Sequence, residues 1–424
     1  MDTQKLSTEP YKGVRDFFPK DMAIQDYIFS IWRQTAESFG FLHYEASVLE
    51  RSELYKAKGA ENAEMVNEQT YTFTDRGGRE VTLRPEMTPT VARMIAARSR
   101  ELAFPIRWYS IPNLFRYERT QRGRLREHWQ LNCDIFGADT RAADVELLAL
   151  VYQIFINFGA TPDMFEILIN NRETMNQAYA ALGITDAETM RAVTRLNDRK
   201  DKLPASEYRT QLIEIVGSDT LADEIITMIE STDPGDNQII HDLAALGITN
   251  VRIDRSLARG FDYYTSTVFE CKDTHPDNRR ALLGGGRYDN LTGLFSNNPV
   301  TGVGFGFGDV SMRDFLETHE LLPAHVLNSR TTLTILPTDV RFDVAAQQLA
   351  AAFRQQHLTV ATDFSTRKLS KKQASATQSG VRFVLILDNE YDAEAKYTLI
   401  DSQDDTKTTG TISELCAHIT NATK

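Results

Sequence analysis

Five arginines fall between Pro112 and Gln130, at positions 116, 119, 122, 124 and 126, against only two glutamates, Glu118 and Glu127, a local balance of +3. A guanidinium is a planar fork that meets phosphate oxygens two at a time and keeps its charge at any working pH. Arg116 before a short polar loop and Arg124 after it therefore suit a polyphosphate, and Glu118 can orient one of them or meet a metal-bearing nucleotide. A charged β edge guarded against self-association has the same composition. On this segment alone both readings stand.

Three further segments carry polar groups in unusual settings. Asp254-Arg255-Ser256-Leu257-Ala258-Arg259-Gly260-Phe261-Asp262-Tyr263-Tyr264 places an arginine, a glycine and two tyrosines together, either lining a small polar pocket or forming an amphipathic strand whose tyrosine tips stay wet. Residues 284–291, GGGRYDNL, add Arg287 and Tyr288 on what reads by itself as a tight turn. Arg84-Pro85-Glu86-Met87-Thr88 follows a strand pattern over 80–83 and precedes a helical pattern with Val91, Met94 and Ile95. Thr88 with Pro89 can begin that helix, or Glu86 can face a pocket and hold an amino group.

The elements that must position these residues are legible from periodicity. Helical spacing of Ile24, Tyr27, Ile28, Ile31, Trp32 and Phe39 predicts a helix over 21–39, capped by Asp21 and closed by Gly40. Residues 106–117 and 125–136 read as strands, the second alternating Trp129, Leu131, Cys133 and Ile135. With the loop 118–124 closed by Gly123, they form a long antiparallel hairpin with a basic tip. A helix is expected near 144–157 and a helical insertion over about 172–250, including 172–182 and 221–230. Strand patterns resume over 251–272, and Gly302, Gly304, Gly306 and Gly308 alternate so that backbone can approach a ligand or neighbouring strand closely. Residues 321–330 mark a boundary. Beyond it, strands at 331–336, 358–362, 381–387 and 397–401 and helices at 341–355, 367–379 and 411–420 imply a mixed α/β sheet.

At 424 residues the chain exceeds one hydrophobic core, and 42% hydrophobic with 25% charged residues is an ordinary globular balance. A net charge of −12 argues against broad nucleic-acid binding and leaves room for a local basic patch. Cys133, Cys271 and Cys416 are odd in number and far apart, which speaks against disulfides or zinc and for a reducing cytoplasm. No apolar run reaches the ~18 residues of a membrane span, so neither secretion nor insertion is expected.

Taken in order, these segments resemble the class II aminoacyl-tRNA synthetases and, within them, the histidyl-tRNA synthetases. Lys12-Gly13-Val14-Arg15-Asp16-Phe17-Phe18-Pro19 is similar to that family's opening motif, and 115–130 to its second motif. LARGFDYYTSTVFE at 257–270 and GGGRYDNL at 284–291 resemble its histidine signatures, and 379–390, SGVRFVLILDNE, is similar to part of its anticodon-binding domain. The resemblance implies an α+β fold: an antiparallel-sheet catalytic domain over 1–325 with the helical insertion, then a mixed-sheet anticodon-binding domain over 331–424. It implies ATP with Mg2+, L-histidine and the histidine tRNA as partners, a homodimer, and no metal site built from protein ligands alone.

The same resemblance places Arg116 and Arg259 as catalytic residues on the α-phosphate, with Glu118 and Arg124 completing the ATP site. Glu86, Met87, Thr88, Gln130, Asp134, Tyr263, Tyr264 and Tyr288 line the histidine pocket. Arg122, Arg367 and Lys371 are expected tRNA contacts; Arg367 and Lys371 form with Lys368 and Lys372 a basic cluster at one helix start, which reads also as a solvated helix face. Two positions depart from the family pattern: Ser311 stands where an arginine is usual, with Arg313 and Arg287 as candidate substitutes, and Leu125 where a pocket tyrosine is common. Two alternatives follow: a histidine-sensing paralogue that synthesises nothing, which the missing arginine favours, and a tRNA-binding scaffold, which predicts loss of arginines that are present.

Overall fold

A computed structural model describes residues 5–57, 69–200, 203–233, 237–258 and 263–422. The chain divides into two compact units, Met1–Leu322 and Pro323–Lys424. In chain order the first unit contributes β1 (Leu42–His43), β2 (Leu49–Arg51), β3 (Tyr71–Thr74), β4 (Glu80–Leu83), β5 (Ile106–Ser110), β6 (Asn113–Phe115), β7 (Glu127–Phe136), β8 (Phe165–Asn171), β9 (Val251–Ile253), β10 (Thr267–Asp273), β11 (Ala281–Arg287) and β12 (Gly302–Gly308). β2, β4 and β3 make a small antiparallel sheet. The others form one large sheet in the order β1-β5-β7-β12-β11-β10-β8-β9, with β6 beside the first part of β7. Every pairing in it is antiparallel except those of β1 with β5 and β8 with β9.

Strand alternation divides this sheet into two faces with different work. Along β12 the residues Val303, Phe305 and Phe307 are buried, and Phe307 meets Trp32 and Phe155 with ring centroids 5.4 Å apart in each case. Trp32 comes from the helix Pro19–Ser38 and Phe155 from the helix Arg141–Asn157. Each aromatic buried there stabilises the fold by about 1.5–3 kcal/mol. The glycines of β12 lie at the intervening positions and leave the opposite face bare.

Several boundaries differ from the sequence expectation. The first helix begins at Pro19, and Asp21 caps nothing; it lies in the first turn and pairs with Arg313 at 3.1 Å. Proline at the helix start supplies a preset φ and lacks an N–H that would otherwise need a partner. The strand read over 106–117 is broken into β5 and β6 at Ile111-Pro112, where Pro112 cannot donate to a ladder but accepts from the Gln130 N–H at 3.1 Å. The helix expected near 144 starts at Arg141. The strand patterns read over 251–272 are two strands, β9 and β10, and the described residues between them, 254–258 and 263–266, lie outside both.

Between β8 and β9 the chain forms the helices Arg172–Ala181, Ala187–Asn197, Ala205–Val216, Asp219–Glu230 and Gln238–Ala245. Four begin with side-chain caps, from Asn171, Asp186, Ser218 and Asn237, each accepting from a backbone N–H of the first turn. Their apolar faces close on a core of their own that includes Tyr179, Val193, Tyr208, Leu212 and Ile225.

The second unit holds β13 (Leu333–Pro337), β14 (Val360–Thr362), β15 (Phe383–Leu387), β16 (Tyr397–Asp401) and β17 (Lys407–Gly410) in the order β14-β13-β15-β16-β17. β13 pairs in parallel with β14 and β15, and the last two pairings are antiparallel, so the sheet is mixed. The helices Asp343–Gln355, Leu369–Gln378 and Ile412–Ala422 complete it. β17 is the strand the sequence pattern missed: Lys407-Thr408-Thr409-Gly410 is an edge with no apolar alternation.

Candidate active site

The bare face of β12 is the floor of the site. A methyl group added at Gly302 would lie 2.5 Å from the Tyr288 ring, at Gly304 2.3 Å from Asp134 Oδ1 and 2.4 Å from the Tyr288 hydroxyl, and at Gly306 2.6 Å from the Gln130 carboxamide. Nothing larger than hydrogen fits at these positions, so each glycine makes room for a functional side chain from a neighbouring strand. β7 supplies the row: His128, Gln130, Asn132 and Asp134 lie on this face, while Trp129, Leu131, Cys133 and Ile135 turn to the helices.

At one end of the row Asp134 is buried and accepts a hydrogen bond at Oδ1 from the Tyr288 hydroxyl, while its Oδ2 is buried with no partner. Burial lifts the Asp134 carboxyl to about 7, against the opposing pull of the Tyr288 hydrogen bond. Tyr288 touches Tyr263 edge to face at 5.9 Å, and the Tyr263 hydroxyl donates to Glu86 Oε2 at 3.1 Å and is also hydrogen-bonded to Thr88. Tyr264 stacks over Gly286, where a methyl would meet its ring at 2.7 Å. The result is a small aromatic pocket with a carboxylate at each end, Glu86 and Asp134.

Glu86 is held by an unusual turn after β4. Arg84 is buried and donates to the Ala46 carbonyl at 2.7 Å, the Asn113 carbonyl at 3.0 Å and Glu45 at 3.0 Å, so the chain leaves β4 on a fixed path. The helix Thr88–Arg98 starts directly after it without a side-chain cap, which frees Thr88 to face Tyr263. Met87 sends its side chain fully into the core, 3.9 Å from the Arg84 guanidinium.

At the other end lies the arginine cluster. Arg116 Nε donates to the Pro85 carbonyl at 2.8 Å and its Nη1 lies 4.0 Å from Glu118, which accepts from Arg124 at 2.9 Å. Arg126 turns away, over the Tyr117 ring at 4.0 Å, and bonds the Tyr11 hydroxyl at 3.1 Å. Arg122 reaches Asp314 at 4.0 Å and Thr318 at 3.2 Å, tying the hairpin tip to the helix Asp309–Thr318. His128 sits between these charges: burial, then Arg116, Arg15 and Arg124, drive its pKa down to about 3, so it is a neutral imidazole.

Asp309 joins the opening segment to this floor. It accepts from Arg15 at 2.7 Å, from Gln25 at 3.0 Å and from the Trp129 N–H at 2.9 Å. Gly13, at φ +90, accepts from the Arg126 N–H at 2.7 Å and lies where any side chain would strike Arg126.

A family model described as histidyl-tRNA synthetase matches residues 13–308, and one described as an anticodon-binding domain matches 332–422. The histidine–tRNA ligase of Leptospira biflexa is 40% identical over 402 residues, covering 91% of each chain, and that of Thermoplasma volcanium is 35% identical over 90% of this chain and 91% of its own. The chain belongs to the histidyl-tRNA synthetase family. Its fold is also that of the histidyl-tRNA synthetase crystal structure from a Nostoc species, with a TM-score of 0.79 at 22% identity over 99% of this chain and 100% of the other. The apo enzyme of Staphylococcus aureus gives a TM-score of 0.73 at 23% identity over 98% and 100%.

For a synthetase of this family, the structure brings together Glu86, Thr88, Asp134, Tyr263, Tyr264 and Tyr288 at one end of the floor and Arg116, Glu118 and Arg124 at the other, with Gln130 between them. Arg259 lies outside the described residues. Neither candidate substitute for the missing arginine at position 311 is available. Arg313 is paired with Asp21 and Glu317, and Arg287 is buried against Asp144 with bonds to the Ala138 and Thr140 carbonyls. Ser311 closes on backbone, donating to the Leu282 and Gly308 carbonyls at 2.8 and 3.0 Å. Leu125 is half-buried. In the second unit Arg367, Lys368 and Lys371 are exposed, whereas Lys372 is not part of that surface: it is buried, donating to the Pro337 and Asp363 carbonyls at 2.9 and 3.1 Å. Sequence reasoning missed Arg280, which belongs to no motif, and His128, which lies inside the 115–130 motif but carries no charge to draw notice; its signal was its even-numbered place on β7, in phase with Gln130 and Asp134.

Proposed function

We propose that this chain activates L-histidine with ATP to histidyl-adenylate and pyrophosphate, then transfers the histidyl group to the 3' end of the histidine tRNA. The observation that carries this reading is the unpartnered, buried Oδ2 of Asp134. A buried carboxylate oxygen without a donor costs free energy that a ligand N–H recovers, and an imidazole offers one. Tyr288 holds the other oxygen, so only one orientation of the ring is satisfied. Glu86 and Thr88 take the α-amino group, and Gln130, midway along the floor, lies nearest the substrate carboxylate.

Attack of that carboxylate on the α-phosphorus brings two anions together. The bond from phosphorus to the bridging oxygen breaks as the new P–O bond forms, and pyrophosphate leaves with the electron pair. Catalysis therefore rests on positioning and on cations fixed in advance. Arg116 and, by family resemblance, Arg259 meet the α-phosphate; Arg124 holds the outer phosphates, and Glu118 orients Arg124 and faces the nucleotide or its magnesium. Among the described residues no cluster of three acidic, histidine or cysteine side chains gathers. Glu118 offers one hard oxygen ligand, which fits a Mg2+ carried mainly by the nucleotide's own phosphates and neutralising their charge. In the second step a ribose hydroxyl of the tRNA attacks the acyl carbon and AMP leaves.

In the second unit, Phe364 is 46% exposed beside exposed Arg367, Lys368 and Lys371, a ring and cations suited to unpaired bases and phosphates of an anticodon loop. Phe18 and Leu42 are 71% and 67% exposed, apolar surface consistent with a homodimer built on the opening segment and first strand, which sedimentation tests. Among the described residues no helix is long and apolar enough to cross a membrane, and the three buried cysteines are free, which suits work in the cytoplasm.

Histidine-dependent exchange of pyrophosphate into ATP, followed by charging of the histidine tRNA, tests the activity. Histidine binding without exchange would instead support a sensor.

A further inference from the structure

Arg280 stands immediately before β11 and belongs to none of the motifs. Its side chain lies against the hairpin tip: a methyl group at Gly123 would be 3.8 Å from its Cδ. With Arg122, Gly123, Leu282, Ser311 and Asp314 it lines a cavity of about 150 Å³. Unlike Arg313 and Arg287, it forms no hydrogen bond or ion pair with any described residue. Partial desolvation and then the neighbouring Arg124 guanidinium depress its affinity for its own proton, while Glu118 acts the other way. Glu118, shared between Arg116 and Arg124, supplies one negative charge to three guanidinium groups. Such an excess of fixed positive charge is stable only because water and counterions screen it, and it favours a multiply charged anion.

Ser311 explains why the space is open. Its short side chain folds back onto the Leu282 and Gly308 carbonyls, leaving the cavity between the helix Asp309–Thr318 and the start of β11 to be filled from elsewhere. Two acidic groups line it: Asp314, engaged by Arg122 and beside Gly123, and Asp277, which is largely exposed and lies 3.9 Å from His275. The Arg280 guanidinium is thus held at the mouth of the hairpin beside Arg124 with all five of its N–H donors available.

We propose that Arg280 is a third cation of the nucleotide cradle, binding the outer phosphates of ATP together with Arg124. This assignment rests on the ATP-dependent reading of the site and adds to it a residue from outside the hairpin. The distinguishing consequence is selectivity among anions: Arg280 acts on ligands with outer phosphates and leaves AMP and histidine untouched.

The test compares wild type with Arg280→Met, which keeps the stem, and Arg280→Lys, which keeps the charge. In pyrophosphate exchange, the Met variant is expected to raise KM for ATP and for pyrophosphate by roughly tenfold or more, the effect of removing one charge-assisted hydrogen bond, with KM for histidine within about twofold. The Lys variant recovers part of the loss, AMP inhibits all three proteins equally, and thermal midpoints coincide. An Arg280→Met enzyme whose KM values for ATP and pyrophosphate stay within about twofold of wild type overturns the proposal, as does an equal loss of AMP affinity. Should wild type show no exchange, the ATP-dependent reading of the site fails first. Direct titration of ATP against AMP on the same proteins then decides Arg280 separately, with equal ATP affinity in wild type and Arg280→Met counting against it.

Discussion

Arg116 Nε donates to the carbonyl oxygen of Pro85 at 2.8 Å, which ties this guanidinium to the peptide unit just before Glu86. The group proposed to meet the nucleotide and the group proposed to meet the amino acid therefore share one turn, itself fixed by buried Arg84. Arg116→Lys keeps the charge but lacks the planar fork whose Nε holds Pro85 while its terminal N–H groups face away from that carbonyl. It is expected to lower kcat for adenylation by roughly 100-fold, near the loss typical of one preorganised donor, with a much smaller change in KM for histidine. Single-turnover adenylate formation measures this; a Lys variant within about fivefold of wild type would show that charge alone suffices.

Asp134 is expected to set both the affinity for histidine and its pH dependence. Asp134→Asn keeps the shape and replaces an acceptor with a donor at one position, so KM for histidine should rise roughly 10- to 100-fold while KM for ATP holds. Burial holds this carboxyl at about 7, so the acceptor Oδ2 becomes available as pH rises through neutrality. An analogue whose azole ring does not itself titrate should therefore bind more tightly at about pH 8 than at about pH 6 to wild type, and equally at both to the Asn variant. Tighter binding at low pH would remove Asp134 from the acceptor role. Gly304→Ala, whose methyl would sit 2.3 Å from Asp134 Oδ1, should mimic the loss in affinity.

His128 and Asp134 should pull stability in opposite directions with pH. His128 titrates at about 3 in the folded chain against 6.5 unfolded, so its contribution is complete above about 6.5 and is lost as pH falls toward 3. Asp134 titrates at about 7 against 3.8, so its contribution is complete below about 3.8 and is lost as pH rises through 7. Between about pH 4 and 6.5 the two slopes offset. Denaturant midpoints of His128→Gln should fall with rising pH in that window, and those of Asp134→Asn should rise, each by up to roughly 1 kcal/mol per pH unit. Parallel slopes in the two variants would contradict both assignments.

The hairpin, the first helix and the two units were legible because each has a local signature: alternation on β7, helical spacing before Gly40, a fresh strand pattern after 330. The interruption at Ile111-Pro112 was readable too, since proline cannot donate, and a continuous strand over it was the wrong inference. What local pattern could not show is which distant groups meet. Asp309 carries no local signature of its role, yet it binds Arg15 and Gln25 across nearly the whole of the first unit. Arg313 and Arg287 were equally plausible phosphate ligands until their carboxylate partners, Asp21 and Asp144, were located. Such pairings depend on tertiary approach, and a count of arginines cannot distinguish a neutralised charge from an open one. In isolation the arginine-rich segment fitted an edge as well as a clamp; Glu118 between Arg116 and Arg124 favours the clamp.

Asp309 offers the sharpest stability test of the way the opening segment is attached. Its carboxylate is buried and takes three donors, from Arg15, Gln25 and the Trp129 N–H. Asp309→Ala leaves two of these without an acceptor in a largely dry setting and strands the Arg15 charge, a loss expected to cost about 3–5 kcal/mol. Asp309→Asn retains an oxygen for the Trp129 N–H but turns an amide donor toward Arg15 and Gln25, so it should also destabilise, by less than Ala only through the one retained bond. Because Trp129 stands between His128 and Gln130 on β7, loosening it shifts the floor beneath the nucleotide and the substrate carboxylate alike. The Ala variant should therefore raise KM for ATP and for histidine together, unlike Arg280→Met, which separates them. Chemical denaturation with exchange kinetics on the same preparations checks both points, and an Ala variant as stable as wild type would show that Asp309 does not anchor the segment.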